Sequence, residues 1–211
     1  MEKMNEKGRS MVEMLGVLAI IGVLSAGGLA GYSKAMFKHK LNSTMEQITM
    51  LVTNIRTMYG TQGNYKGLST DAVDLGIIPA VMGTSVSALT NPFKGSVTIH
   101  EAKATDANTD ASTATDGATA FIVTYAGLPV EACIALATAD FGSGAGSGFL
   151  GVVAANGTTA ATAKTAIVGT GVAAVQGGQG ARGEGDAYTM DDAISACSGS
   201  SGVSSVSWKF Y

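Results

Sequence analysis

The chain has 211 residues, of which 46% are hydrophobic and 14% are charged, and its formal net charge at pH 7 is −3. This length suffices for one membrane helix and one globular domain of ordinary size. The mild acidity gives no indication of a nucleic-acid-binding surface, which would show as clustered positive charge.

An apolar segment near the N-terminus, residues 11–32, carries one charged side chain, Glu13. At about 1.5 Å per residue, a helix of this length spans the roughly 30 Å hydrocarbon core of a bilayer. A secretory signal is cleaved after its apolar region, but here the polar leader, residues 1–8, ends at Gly8 and the apolar segment follows it. Cleavage after Gly8 would therefore leave the helix in the product.

Glu13 has two interpretations. Ser10 and Glu13 fit the capping-box pattern S-x-x-E, in which the glutamate satisfies backbone N–H groups at the start of a helix. A carboxylate within a membrane span is also energetically expensive, and such acids are candidates for functional sites. We favour a role beyond capping. Its partner would be a positive charge, either a lysine or arginine elsewhere or an α-amino group created by cleavage after Gly8.

The apolar segment also contains a G-x-x-x-G pattern at residues 27–31. This spacing is typical of transmembrane helices that pack closely against each other. It is equally consistent with a weak point where the helix extends, because glycine lowers helix stability. Both interpretations remain open from the sequence.

Beyond Tyr32 the sequence predicts that the helix continues to about Gly60 and becomes amphipathic. Apolar residues recur at alternating intervals of four and three, which places them on one face. They are Leu41, Met45, Ile48, Val52, Ile55 and Tyr59. We interpret this stripe as the face that a globular domain covers.

The remaining sequence predicts short elements separated by turns and small-residue loops. Helices are expected over about 71–75, capped by Thr70, over 129–139, and after a capping box at 189–192. Strands are expected at 96–100, 120–125, 149–154 and 203–211, and residues 102–119 are expected to form an exposed loop. In the last strand, Val206, Trp208 and Phe210 should share one face.

No cluster of residues suited to catalysis or metal binding is visible in the sequence. His39 and His100 lack a second histidine or a cysteine at metal-ligand spacing. Residues 178–183 match G-x-G-x-x-G, but no apolar helix follows, so the context of a dinucleotide site is missing. We therefore expect no enzymatic activity, no cofactor and no metal.

The glycine that ends the leader, the glutamate shortly after it and the long apolar helix together resemble the class III signal of type IV pilins. The resemblance implies that a membrane peptidase cuts the bond between Gly8 and Arg9 and methylates Arg9. It also implies that Glu13 pairs with the N-terminal amine of a neighbouring subunit during assembly. Arg9 departs from the family's usual Phe, Met or Leu, and the proline often found midway along the family's helix is absent.

The globular part is similar to the larger, type IVb-like pilins. The similarity rests on the Asn-Pro-Phe turn at 91–93, on Cys133 in a helix after the central strands, and on Cys197 near a C-terminal strand. The N-terminal span would export this domain to an oxidising compartment, and no third cysteine competes. We therefore predict one disulfide, Cys133 to Cys197, bounding region 133–197.

The expected fold is α+β, the type IV pilin fold: a long N-terminal helix packed on the antiparallel sheet of a globular domain, residues 61–211. Residues 9–32 would be its transmembrane half and residues 33–60 its amphipathic half. The precursor would lie in the inner membrane and the product in an extracellular, cell-surface pilus. Partners would be identical subunits, a prepilin peptidase, inner-membrane assembly machinery and, before assembly, membrane lipid, but no nucleic acid.

Two alternatives stay open from the sequence. The chain could be a minor pilin or a pseudopilin of type II secretion, which would prime or cap a filament. It could also be an adhesin or binding module anchored by a single membrane span, but that alternative leaves Glu13 unexplained.

Overall fold

The structure is a computed structural model. It describes residues 6–102, 118–139, 141, 148–157, 181–183, 189–199 and 202–211. Among these, the side chains of residues 6–10 and 181–183 are not described. The chain divides into two compact units, residues 1–42 and 43–211. Most of the loop predicted at 102–119 lies outside the described residues, as do the first three residues of the glycine motif at 178–183.

The described helices and strands follow in this order. The helices are α1 (Glu6–Tyr59), α2 (Leu68–Asp71), α3 (Val130–Ala137) and α4 (Met190–Cys197), with a 3-10 turn at Val86–Ala88. The strands are β1 (Leu89–Thr90), β2 (Ser96–Ala102), β3 (Ala120–Pro129), β4 (Phe149–Asn156), β5 (Ala181–Gly183) and β6 (Val203–Phe210).

Helix α1 is unbroken through the glycines of its apolar part. A Cβ atom added at Gly27 or Gly31 would meet no atom within 4 Å outside the neighbouring helical backbone. Neither glycine therefore packs against another part of the described chain, and close packing at these positions would need a second molecule.

Four of the six residues predicted for the apolar stripe of α1 are buried, whereas Leu41 and Met45 are half-buried. Ile48, Val52, Ile55 and Tyr59 are all buried, which confirms the period-based prediction. Leu51, one residue before Val52, is buried as well and widens the stripe. The helix thereby provides one side of the core.

The described strands form one antiparallel sheet in the order β1-β2-β3-β6-β4-β5. The C-terminal strand β6 lies between β3 and β4, so it is a central strand. Trp208 pairs with Val123 on one side and Val152 on the other. The apolar face predicted for β6 therefore continues onto β3 and β4, because the side chains of directly paired residues lie on the same face of a sheet.

The central position of β6 buries the polar face of this strand too. Ser207 and Lys209 are 0% and 1% exposed. The Ser207 hydroxyl hydrogen-bonds the Thr124 hydroxyl of β3 at 2.6 Å. Apolar side chains of the neighbouring strands, including Ile122 and Val153, form a buried cluster on this same face. The alternation of apolar and polar residues along β6 did not predict that both faces are buried.

A tight turn leads into β2 and is held by one buried side chain, Asn91. Its Oδ1 accepts hydrogen bonds from the N–H groups of Phe93 and Gly95 at 2.9 and 3.0 Å. Its Nδ2 donates to the carbonyl oxygen of Ala126 at 2.9 Å. A Cβ on Gly95 would lie 1.8 Å from that same oxygen, so only glycine fits there. The predicted Asn-Pro-Phe turn therefore docks on the irregular part of β3.

The prediction for the short helix after α1 was wrong in position. We expected residues 71–75 with a Thr70 cap, but α2 covers Leu68–Asp71. Gly67 precedes it with φ of 83°, and the Thr70 hydroxyl donates to the Gly67 carbonyl oxygen instead of accepting from the next turn. The left-handed glycine starts the helix, a conformation that other residues adopt at a cost.

Candidate assembly site

The apolar part of α1 is exposed throughout the first unit. Its large apolar side chains between Met11 and Leu29 are 53–75% exposed. In the described part of the chain, one helix is long and apolar enough to cross a membrane. Its most apolar stretch has a mean hydropathy of 2.1, and none of that stretch is buried. Such a surface requires lipid or other protein chains to cover it.

The residues predicted for processing and assembly lie at the start of this helix. Gly8 and Arg9 are within the helical backbone, and Glu13 lies about one turn beyond Arg9 with an exposed side chain. Because α1 already includes Glu6, Ser10 does not begin a helix while the leader is still attached. The capping-box interpretation of Glu13 is therefore wrong for this form of the chain.

The two cysteines are brought together in the second unit. Cys133 in α3 and Cys197 in α4 form a disulfide with Cα atoms 5.9 Å apart and a sequence separation of 64. Both residues are buried. The bridge joins α3 to α4, and thereby encloses β4 and β5, which lie on one side of the central strand β6.

A groove with one cation lies between α1 and the sheet. We call it the Arg56 groove; its lining residues are Thr49, Val52, Thr53, Arg56, Phe141 and Phe210, and its volume is about 270 Å³. The Arg56 guanidinium lies 5.3 Å from the Phe210 ring centroid, within cation–π range. Arg56 Nε donates to the main-chain oxygen of Tyr211 at 3.2 Å.

Burial lowers the pKa of the Arg56 guanidinium, and the nearby Tyr65 opposes that shift. Arg56 Nη2 is buried without a hydrogen-bond partner, close to Gly148, where an added Cβ would lie 2.6 Å from it. Among the described residues, no carboxylate side chain bonds this guanidinium. Arg56 was not among the candidate residues predicted from the sequence, although its place one residue after the buried Ile55 puts it at the edge of the apolar stripe.

The described residues contain no group of three or more His, Cys, Asp or Glu side chains that could hold a metal ion. His39 is exposed on α1 and His100 is half-buried on β2. Residues 181–183 of the glycine motif form strand β5 and pair with β4, instead of opening a helix as a dinucleotide site requires.

A family model described as Bundlin matches residues 34–210. The chain belongs to the Bundlin family. The match begins after residues 8–32, which carry the N-terminal part of the resemblance to pilins, and it includes residues 91–93, Cys133 and Cys197, which carry the rest. The predicted long helix on an antiparallel sheet is confirmed for residues 43–211 of this Bundlin-family chain.

Two curated relatives are similar to this Bundlin-family chain. Each is the major structural subunit of bundle-forming pilus, from Escherichia coli O127:H6 (strain E2348/69 / EPEC) and Escherichia coli O111:H-. Each is 29% identical over 147 residues, which cover 69% of this chain and 70% of the relative. The crystal structure of TcpA, a type IV pilin from Vibrio cholerae El Tor biotype, aligns with a TM-score of 0.49 and 14% identity, over 82% of this chain and 99% of that one.

Proposed function

We propose that this Bundlin-family chain is the repeating structural subunit of a type IV pilus. The single observation that carries the proposal is the family match over residues 34–210. The exposed apolar helix supports it, because a surface of this kind needs many identical neighbours in a filament or lipid before assembly. The chain is a structural subunit of an extracellular filament and not an enzyme.

The finer steps of this proposal concern the N-terminus. The precursor lies in the inner membrane through α1, and a prepilin peptidase removes the leader, residues 1–8, and methylates Arg9. The Gly8–Arg9 bond lies in the first turns of a helix, so it must unwind before cleavage. Helix ends open at little free-energy cost, which makes this position accessible.

After cleavage, Glu13 pairs with the positive N-terminus of a neighbouring subunit, and inner-membrane assembly machinery moves the helix from lipid into the filament. Residues 9–32 form the assembly part of the helix, residues 33–60 its amphipathic part and residues 61–211 the globular domain. The charge pair would set the axial position of each new subunit, because an intramembrane carboxylate is stable only beside a compensating charge. Adhesion, motility and uptake are roles that such a filament can serve.

The mature N-terminus tests the proposal. Mass spectrometry of purified surface filaments should find N-methyl-Arg9 as the first residue. An intact Met1 would contradict the proposal and favour a membrane-anchored adhesin. Filaments in which this chain is present only in trace amounts would favour the minor-pilin or pseudopilin alternative.

Blocking the cleavage gives a second test. Gly8→Leu should leave the precursor uncut and heavier by its leader, with no filaments on the surface. Gly16→Leu, a change of the same size deeper in the helix, should leave the cleavage unchanged. Normal processing of Gly8→Leu would place the cut elsewhere.

A further inference from the structure

Helix α4 presents apolar side chains that the described part of the chain leaves exposed. Met190 and Ile194 are 58% and 45% exposed. They are four residues apart, which puts them on the same side of the helix, and the neighbouring Asp191 is exposed too. We call these three residues the α4 patch. Large apolar side chains next to a carboxylate are suited to contact with a second molecule.

The α4 patch is held on a rigid support. The Thr189 hydroxyl caps the start of α4 by accepting a hydrogen bond from the Asp192 N–H. The Cys197 disulfide fixes its end to α3. A contact surface on an anchored helix can repeat with the same geometry in every copy, as a filament requires.

The Arg56 groove is complementary to the α4 patch in charge and shares its apolar character. Its volume of about 270 Å³ exceeds the roughly 150 Å³ of a cavity that holds one benzene molecule, so it has room for more than one apolar side chain. Val52, Phe141 and Phe210 provide apolar walls, and Arg56 provides a cation. Within the described part of the chain no carboxylate side chain bonds that cation, whereas the α4 patch offers one.

We propose that the α4 patch of one subunit docks in the Arg56 groove of the next, with Met190 and Ile194 against the apolar walls and Asp191 facing Arg56. The occupant is a second copy of this chain; this inference rests on the proposed pilus function, which brings many copies of the same domain together. Contact between two different patches of one chain is heterologous, and when it does not close into a ring it produces an open helical filament.

A second exposed apolar patch competes for the groove. Leu75 and Val81 are 40% and 78% exposed, and Asp74 is nearby and exposed. These residues lie between α2 and β1, outside any described helix or strand. The α4 patch is the better candidate, because a cap and a disulfide anchor it. Docking of the 74–81 segment is an outcome that the experiment can detect.

Cysteine crosslinking in intact filaments tests the contact. Both native cysteines are in the disulfide, so an introduced cysteine is the free thiol. Cells would co-express one copy with Thr53→Cys and another with Ile194→Cys, both at exposed positions. Oxidation of the purified mixed filaments should give a crosslinked dimer, which filaments of either single variant should lack.

The matched control replaces Ile194→Cys by Val81→Cys and should give no dimer. A dimer with Val81→Cys but not with Ile194→Cys, or with neither, would overturn the proposal. If either cysteine prevents filament formation, Thr49→Cys with Met190→Cys repeats the test one helical turn away. If wild-type filaments form with the expected N-terminus but the mixed-variant filaments give no crosslink, this contact alone is refuted. If the wild-type chain forms no filaments, the pilus function is refuted.

The charged part of the contact has its own test. Asp191→Asn should lower the dimer yield of the Thr53→Cys and Ile194→Cys pair, because it removes the carboxylate that faces Arg56. Asp74→Asn, the same change at the competing patch, should leave the yield unchanged. Equal yields with Asp191→Asn and the unmodified pair would show that Asp191 does not face Arg56.

Discussion

Ile20 and Ile55 lie in the same uninterrupted helix, yet Ile20 is 63% exposed and Ile55 is fully buried. Around Ile20 nearly every side chain is small or apolar, so each side of the helix offers the same kind of surface. Around Ile55 the apolar residues follow one stripe, and polar threonines occupy the exposed side. One helix therefore carries two kinds of apolar surface. The second is covered by its own domain, and the first must be covered by lipid or by other chains.

The largest expected effect comes from removing the charge of Glu13 in the first region. Glu13→Ala should leave membrane insertion intact and abolish or sharply reduce filaments, because it removes a carboxylate from the apolar span without shortening it. Electron microscopy and immunoblotting of sheared surface fractions would measure this.

Glu46→Ala is the control for that variant, since Glu46 is an exposed glutamate of the same helix in the second unit. It should form filaments at the normal level. Normal filaments with Glu13→Ala would contradict an assembly role for this residue.

The next largest effect should be confined to the second region. Cys197→Ser removes a cross-link that closes a loop of 64 residues, for which chain entropy predicts a loss of about 4 kcal/mol in the free energy of unfolding. Residues 133–211 should become sensitive to limited proteolysis, while cleavage after Gly8 continues. A protease-resistant domain in this variant would show that packing alone holds α3 and α4.

A matched pair of substitutions compares the two regions directly. Ile55→Ala should lower the free energy of unfolding of the globular domain by about 3 kcal/mol, because it opens a cavity in the core. Ile20→Ala should leave it unchanged, since Ile20 contributes no buried area to that domain. Denaturant titration followed by tryptophan fluorescence reports on this through the buried Trp208. Equal losses in the free energy of unfolding for the two variants would contradict the division of the helix into a part that its own domain covers and a part that it leaves exposed.

The smallest expected effect concerns the start of α4. Thr189→Ala removes the capping hydroxyl and should cost about 1 kcal/mol in the free energy of unfolding. Thr189→Ser keeps the capping oxygen and should stay close to the parent. Equal losses for the two variants in the same titration would mean that the threonine methyl group, and not the cap, stabilises this helix.

Local signals in the sequence were sufficient for several elements. The period of α1 identified Ile48, Val52, Ile55 and Tyr59 as core residues, and the Thr189 cap was recognised from its spacing to Asp192. These predictions held because the interactions involved join residues close together in the chain. The helix at 71–75 was misplaced, because Gly67 starts it in a left-handed conformation that residue type alone did not reveal.

Local signals in the sequence did not predict the strand order or the Arg56 groove. Strands β1 and β5 were missed, since they are two and three residues long and are defined by pairing with β2 and β4. Arg56 meets Phe210 only because the chain brings together residues 154 positions apart. Pairing across such distances depends on the whole domain, and short windows of sequence do not encode it.

Composition and local spacing in the sequence were enough to predict the apolar N-terminal helix and the alternating patterns of the main strands. Gly8, Arg9 and Glu13 remain predictions that come from the resemblance to pilins. The central place of β6, the burial of Lys209 and the Arg56 groove became visible only in the folded domain. A side chain's burial depends on which distant elements pack around it, and those contacts form only when the whole sheet assembles.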